Sequence, residues 1–303
     1  MPGENMKKII YSIYFPIEKH VPFKGTTEKS ENRTKELNRN ANELIYRQRI
    51  YAMSIGAEYR LFGKTDFDEF KEMTTEYDFD KLGFFKLYLL KQLSKTYDRI
   101  LYLDLDVIPN TSLNFFNVHE PGKLHVLMEN CDFDLTLSEE DRPKIYRADP
   151  KKKPIATKPE IVSYYDRQHR FVKSMAKQMM NVLTGVNSSE MLANTGIIGA
   201  DKKCLEDFNI IDDMKELTVT YTKVKEEKMA DMLYPGITDK FFINNEVFFT
   251  HYLEKKKIEY RSLDRDWHFH LMNKDNMDKI TDWSYPKLIH LINKRFEKLW
   301  KKI

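Results

Sequence analysis

Runs and alternations of apolar positions divide the chain into short strands and longer helices. Lys7 to Tyr14 reads K-K-I-I-Y-S-I-Y, a β-rich run that predicts a first central strand with Tyr11, Ser12 and Tyr14 near its carboxyl end. Pro16 to Asn38 is polar and aperiodic and predicts a mobile loop. Asn42 to Ile55 carries Tyr46, Ile50 and Met53 at helical spacing and stops at Gly56, and Ala57 to Phe62 follows as a second strand, completing a β-α-β unit. Helices are predicted over Asp66–Thr75 and Asp80–Tyr97, the second with an apolar face of Phe84, Leu87, Tyr88, Leu90 and Leu93. Ile100 to Leu103 is a short apolar run bounded by polar residues, as a buried parallel strand would be. Beyond it come a strand over Lys123–Met128, a helical stretch over Ile161–Leu183, a turn feeding an apolar strand over Met191–Ala200, an apolar helix over Phe241–Leu253 and a short strand over Leu288–Leu291. The polar insert Asp132–Lys158 reads as a long functional loop or a solvated excursion.

Chemistry gathers at a few of these boundaries. Asp104 and Asp106 follow the apolar strand as D-L-D, and two carboxylates one residue apart at a strand end can both reach one hard divalent cation. A solvated pair of aspartates is common after a strand, so the motif needs context. Met191 to Ala200 supplies Asn194, Thr195 and Gly196, where the missing side chain permits close backbone approach and Asn194 offers both a donor and an acceptor. In F-F-I-N-N-E-V-F-F the polar interruption contains Asn245 and Glu246. A carboxylate in so apolar a surround is either paired or used. His290 lies on the last strand with Lys294 and Lys298 beyond it, while His268 and His270 in D-W-H-F-H share a strand face and compete for any metal role. Lys86 lies on the amphipathic helix before the strand, either solvated or aimed at a ligand.

Composition narrows the classes. With 303 residues, 41% of them apolar, the chain can bury a large core, and 50 Lys and Arg against 47 Asp and Glu argue against a nucleic-acid partner. Cys131 and Cys204 are too few for a disulfide framework and suit a reducing compartment, although one bridge between them stays open. No apolar run approaches a membrane span and Ile9–Phe15 reads as a strand, so a cytoplasmic protein with idle sequons at Asn32, Asn110 and Asn187 is expected.

In order, these motifs resemble glycosyltransferase family 8, the glycogenin and galactosyltransferase-like group. The resemblance implies one GT-A-like, Rossmann-type α/β/α sandwich over 1–303 with a central, mostly parallel sheet. Residues 1–130 would form the nucleotide-binding half and 131–303 the acceptor half with a C-terminal metal and phosphate segment. It further implies a hexose transferred from a nucleotide diphosphate sugar, a UDP-sugar above all, to a hydroxyl on a carbohydrate, protein or lipid-linked acceptor, with retention. Asp104, Asp106 and His290 would hold Mn²⁺ or Mg²⁺. Tyr11, Tyr14, Lys86, Asp104, Leu105, Asp106, Asn194, Thr195, Gly196, Lys294 and Lys298 would bind the donor, and Asn245 and Glu246 would act at the anomeric carbon. The chain departs from the family at Asn245-Glu246, where the family shows D-Q, and at Asn293 and Leu299, where it shows Gly and Pro. A haloacid-dehalogenase-type phosphohydrolase also places D-x-D after an apolar strand, and a binding module that kept the fold without turnover is the third reading. The basic C-terminus, with Lys294, Arg295, Lys298, Lys301 and Lys302 around Phe296, Leu299 and Trp300, could cover a diphosphate or touch an anionic membrane.

Overall fold

The structure, a computed structural model, describes residues 6–16, 28–76, 81–118, 120–130, 164–226, 245–271, 277–278, 280–292 and 294–303. Its elements run β1 (Lys8–Ile13), α1 (Glu28–Ser54), β2 (Glu58–Phe62), α2 (Lys64–Met73), α3 (Lys81–Leu93), β3 (Arg99–Leu103), β4 (Val107–Pro109), α4 (Phe115–Val118), β5 (Leu124–Asn130), α5 (Tyr164–Leu183), β6 (Met191–Asp201), α6 (Met214–Glu226), α7 (Asn245–Lys256), β7 (Tyr260–Ser262), β8 (Phe269–His270), β9 (Leu288–His290) and α8 (Phe296–Leu299). The Asp132–Lys158 insert, Cys131 and the Phe241–Asn244 start of the apolar helix lie outside the described residues.

The large sheet has the order β2-β1-β3-β6-β5-β7. β1 pairs in parallel with β2 and β3, and β5 with β7, while β6 runs against both its neighbours. Parallel pairs need crossovers, which α1 supplies between β1 and β2 and α2 with α3 between β2 and β3. Alternation then sorts the strand side chains. Ile9, Tyr11, Ile100 and Tyr102 face a core shared with α3, α5 and α7, whereas Ile10, Leu101 and Leu103 face Tyr51 and Ala52 of α1 and Ile55 just beyond it. The result is a mixed α/β fold in which helices pack on both faces of a central, mostly parallel sheet, as expected. A second sheet, β4-β9-β8, packs over a third core containing Leu44, Leu105, Ile108, Phe269 and Phe296.

Three local expectations are corrected. α1 begins at Glu28, so the second half of the expected loop, Glu28 to Asn38, is helix. Residues 17–27 lie outside the described chain. Tyr46, Ile50 and Met53 are 59%, 44% and 67% exposed, and α1 instead buries Leu44, Gln48, Tyr51 and Ala52. Asn194-Thr195-Gly196 is no turn before a strand but lies within β6, at an irregularity where Val126 faces Ile198 and the next residue, Leu127, faces Asn194. That bulge re-aims residues 195–197 relative to the ladder.

Cys204 is a free thiol, and burial pushes its pKa up to about 12. Among the described residues no helix is long and apolar enough to cross a membrane.

Candidate active site

The chain leaves the large sheet at Leu103 and enters the small one at Val107, so Asp104-Leu105-Asp106 is the crossing between them. Each residue of the crossing is fixed. The Asp104 N–H donates to the Gly196 carbonyl at 2.8 Å, the Val107 N–H to the Asp104 carbonyl at 2.9 Å, and the Leu291 N–H to the Asp106 carbonyl at 3.0 Å. Leu105, expected among the donor contacts, points its side chain into the third core and ties the crossing down. Gln48 of α1 completes the hold: its fully buried amide donates to the carbonyls of Asp104 at 3.0 Å and Val107 at 2.8 Å, while Ser12 and Tyr59 donate to its Oε1 at 2.6 and 3.1 Å. Each carbonyl left unpaired in such a place would cost about 1–3 kcal/mol.

Register brings His290 to the pair, because β9 lies antiparallel to β4 with His290 opposite Val107. His290 Nε2 lies 3.5 Å from Asp106 Oδ2 and 3.8 Å from Asp104 Oδ2. One ligand atom from each of the three residues falls within 4.8 Å of the others. Two carboxylate oxygens and one imidazole fit Mn²⁺, a borderline cation, and, with more oxygen from elsewhere, Mg²⁺. Gly196 is the cradle. A Cβ built there would sit 2.4 Å from His290 Cε1, 2.6 Å from its Nδ1 and 3.2 Å from Asp104 Oδ2. Gly196→Ala is therefore expected to displace the His290 ring and weaken divalent-cation binding roughly tenfold or more with the fold retained. Mn²⁺ titration by electron paramagnetic resonance, with circular dichroism as the control, checks this.

Two lysines flank the acids. Lys86 is 7% exposed rather than solvated; its Nζ donates to the Thr195 carbonyl at 2.9 Å and reaches Asp104 Oδ1 at 3.4 Å. Lys294, at a positive φ of 57°, turns its ammonium onto Asp106 Oδ2. Burial alone would raise the Asp106 carboxyl, but the Lys294 ammonium and His290 overcome it and hold the group far below the usual carboxylate range. Tyr102 donates its hydroxyl to Asp104 Oδ1, and burial together with the Asp104 charge raises that hydroxyl well above the ordinary tyrosine value.

The remaining expected residues divide. Asn194 Oδ1 accepts the Gly196 N–H at 3.1 Å, and Asn245 donates its amide to Thr195 Oγ1 at 2.8 Å, so the bulge and the first residue of α7 adjoin the acids. Glu246 is held elsewhere: its Oε2 accepts Lys173 Nζ of α5 at 2.6 Å in a largely buried pair. Tyr11 is a core tyrosine, 0% exposed, packed against Phe62 and Tyr102 with its hydroxyl donated to the Lys86 carbonyl at 2.6 Å, and it presents no face to a base. Tyr14 is half-buried and its hydroxyl donates to Asn38 Oδ1 at 3.3 Å. Lys298 pairs with Asp278 at the surface rather than with the acids. Gln48 and Lys173 stand in no motif of the sequence, and Tyr102 shows there only as one apolar position of the strand before Asp104. His268 and His270 do not replace His290 beside the acids; His268 adjoins the other ring nitrogen of His290, and His270 adjoins His268.

No protein-family model and no curated protein matches the chain. Solved structures do. Mouse xyloside xylosyltransferase 1, apo form, is 13% identical over 78% of this chain and 76% of its own, with a TM-score of 0.36. A glycosyltransferase involved in the glycosylation of the major capsid of PBCV-1 is 13% identical over 96% and 97%, with a TM-score of 0.40. The WbbM bifunctional glycosyltransferase, apo structure, is 12% identical, also at 0.40, over 96% of this chain and 47% of its own.

Proposed function

We propose that the chain is a metal-dependent glycosyltransferase moving a hexose from a nucleotide diphosphate sugar, in the first instance a UDP-sugar, to an acceptor hydroxyl with retention, as in the family 8 enzymes it resembles. The observation that carries the reading is the convergence of Asp104, Asp106 and His290 on a glycine-lined crossing between two sheets, flanked by Lys86 and Lys294. A Mn²⁺ or Mg²⁺ ion bound by those three residues supplies charge neutralisation to the diphosphate of the leaving nucleotide.

The chain's own groups do the rest. Lys294 exchanges its partner from the Asp106 carboxylate to a diphosphate oxygen, and buried Lys86 adds a second cation beside Asp104. Asn194, Thr195 and Asn245 offer hydroxyl-recognising groups beside Gly196, which suits them to the donor sugar. Of the pair expected at the anomeric carbon, Asn245 is the reacting-sugar contact. Glu246 is a positioning residue whose ion pair with Lys173 fixes the first turn of α7 against α5. Tyr14, at the carboxyl end of β1, is the remaining tyrosine able to meet a base.

Incubation with UDP-glucose or UDP-galactose and Mn²⁺ should release UDP, and chelation should stop the release. Nitrophenol from p-nitrophenyl phosphate would mark a phosphohydrolase instead. Donor binding without release in the presence of varied sugar acceptors would mark a binding module.

A further inference from the structure

A second donor set adjoins the carboxylate site and shares His290 with it, and the proposed reaction does not use its other two members, His268 and His270. His270 and His290 are partners in the parallel register of β8 and β9, and alternation puts His268 on the same side. His268 Nε2 lies 3.0 Å from His270 Nε2 and 3.1 Å from His290 Nδ1, and each ring offers a nitrogen within 4.8 Å of the other two. His268 and His290 are buried and His270 nearly so. We propose that His268, His270 and His290 form a three-imidazole site for a borderline transition-metal cation of the Zn²⁺ class, linked to the Asp104–Asp106 site through the shared His290 ring.

Three features point to a metal rather than to hydrogen bonding alone. First, zinc–nitrogen bonds of about 2.0–2.1 Å in a tetrahedral set separate the nitrogens by about 3.3 Å, close to the two spacings here. Second, an imidazole nitrogen carries either one hydrogen or one lone pair in the ring plane, so His268 Nε2 can direct itself along one well-aligned bond although two ring nitrogens face it. A cation at the centre accepts all three lone pairs at once. Third, carboxylates stand behind two of the rings. Buried Glu129 of β5 places Oε1 3.8 Å from His270 Nδ1, and Asp106 places Oδ2 3.5 Å from His290 Nε2. A carboxylate on the far nitrogen fixes a ligating ring and raises its basicity. An all-nitrogen set favours Zn²⁺, Co²⁺ or Ni²⁺ over Mg²⁺ and Mn²⁺.

The shared ring sets the consequence. A neutral imidazole has one in-plane lone pair, so His290 serves the histidine set through Nδ1 or the carboxylate set through Nε2, and filling one weakens the other. This holds whether or not the protein transfers sugar.

Co²⁺ titration of the metal-free full chain, followed by visible d–d absorption and Zn²⁺ displacement, tests the proposal. The expected result is one nitrogen-rich site whose affinity falls roughly a hundredfold or more in His270→Gln and His268→Gln and by a smaller factor in Asp106→Asn, which keeps all three ligands. Zn²⁺ should also weaken Mn²⁺ binding in the natural protein at lower concentration than in His270→Gln, where it competes only for the carboxylate site itself. His270 is the less buried ring, so its variant carries the test if His268→Gln does not fold. Absence of Co²⁺ and Zn²⁺ binding by the folded protein overturns the proposal. So does binding lost in Asp106→Asn and kept in a folded His270→Gln, which would put the cation on the carboxylates.

Discussion

Asp106→Ala is expected to abolish divalent-dependent UDP binding and to lower UDP release roughly a thousandfold or more, since metal-borne charge stabilisation is worth several kcal/mol and each 1.36 kcal/mol is tenfold. The loss exceeds that of one carboxylate among many because Asp106 is 5% exposed and its oxygen meets His290 and Lys294 together. Removing it leaves the Lys294 ammonium without this partner and the His290 ring without its nearest acid. Asp106→Asn keeps the volume and separates charge from packing; it should lose nearly as much activity with a smaller change in melting temperature. Calorimetry with UDP and Mn²⁺ on the folded variants decides the point, and unchanged affinity would retire the metal assignment.

The largest effect on stability is expected away from the site. Lys177 of α5 is 0% exposed and places Nζ 2.9 and 3.2 Å from the two oxygens of Glu254 on α7. Ser189 donates to Glu254 Oε1 at 2.6 Å, Asn181 donates to Oε2, and His251 Nδ1 meets Asn181 Oδ1 at 2.5 Å. Burial holds the His251 ring neutral, with its pKa pushed down to about 4. Lys177→Met leaves the carboxylate buried without its cation, a change that costs about 3–5 kcal/mol. The melting temperature should fall roughly 10 °C. In a double-mutant cycle Glu254→Leu should recover much of the loss, because an apolar pair has no charge to desolvate. A Lys177→Met melt within a degree or two of the natural protein would show that water reaches this cluster.

What could be read from the sequence was local. The strand before Asp104 announces itself by four consecutive apolar residues ending in a carboxylate, and the carboxylate pair needs no distant partner to be noticed. Lys86 and His290 drew attention through their flanks, but their arrival at the acids depends on the β6 bulge and on the β4–β9 register. Neither leaves a periodic trace. α1 shows the opposite failure. Its first half is charged and carries no apolar stripe, so it reads as a loop, and Tyr46, Ile50 and Met53 mark a face that the fold leaves in solvent. The face that is buried includes Gln48, a polar residue whose partners lie 56 and 59 positions away. The Glu246 carboxylate was legible as one that must be paired or used, and it is paired with Lys173 on another helix.

The crossing of the chain from one sheet to the other at residues 104–106 also makes the ion site a sensor of tertiary assembly. Asp104 hangs from the end of β3, whereas His290 belongs to β9, so their separation is fixed only while the two sheets stay packed. A cation gripping both acts as a rivet across that seam and raises the free energy of parting the sheets by an amount that grows with the ratio of free cation to its Kd. Hydrogen exchange in β4, β8 and β9 should slow on Mn²⁺ loading, while the amides of β1 and β2, on the far side of β3, should scarcely register the ion.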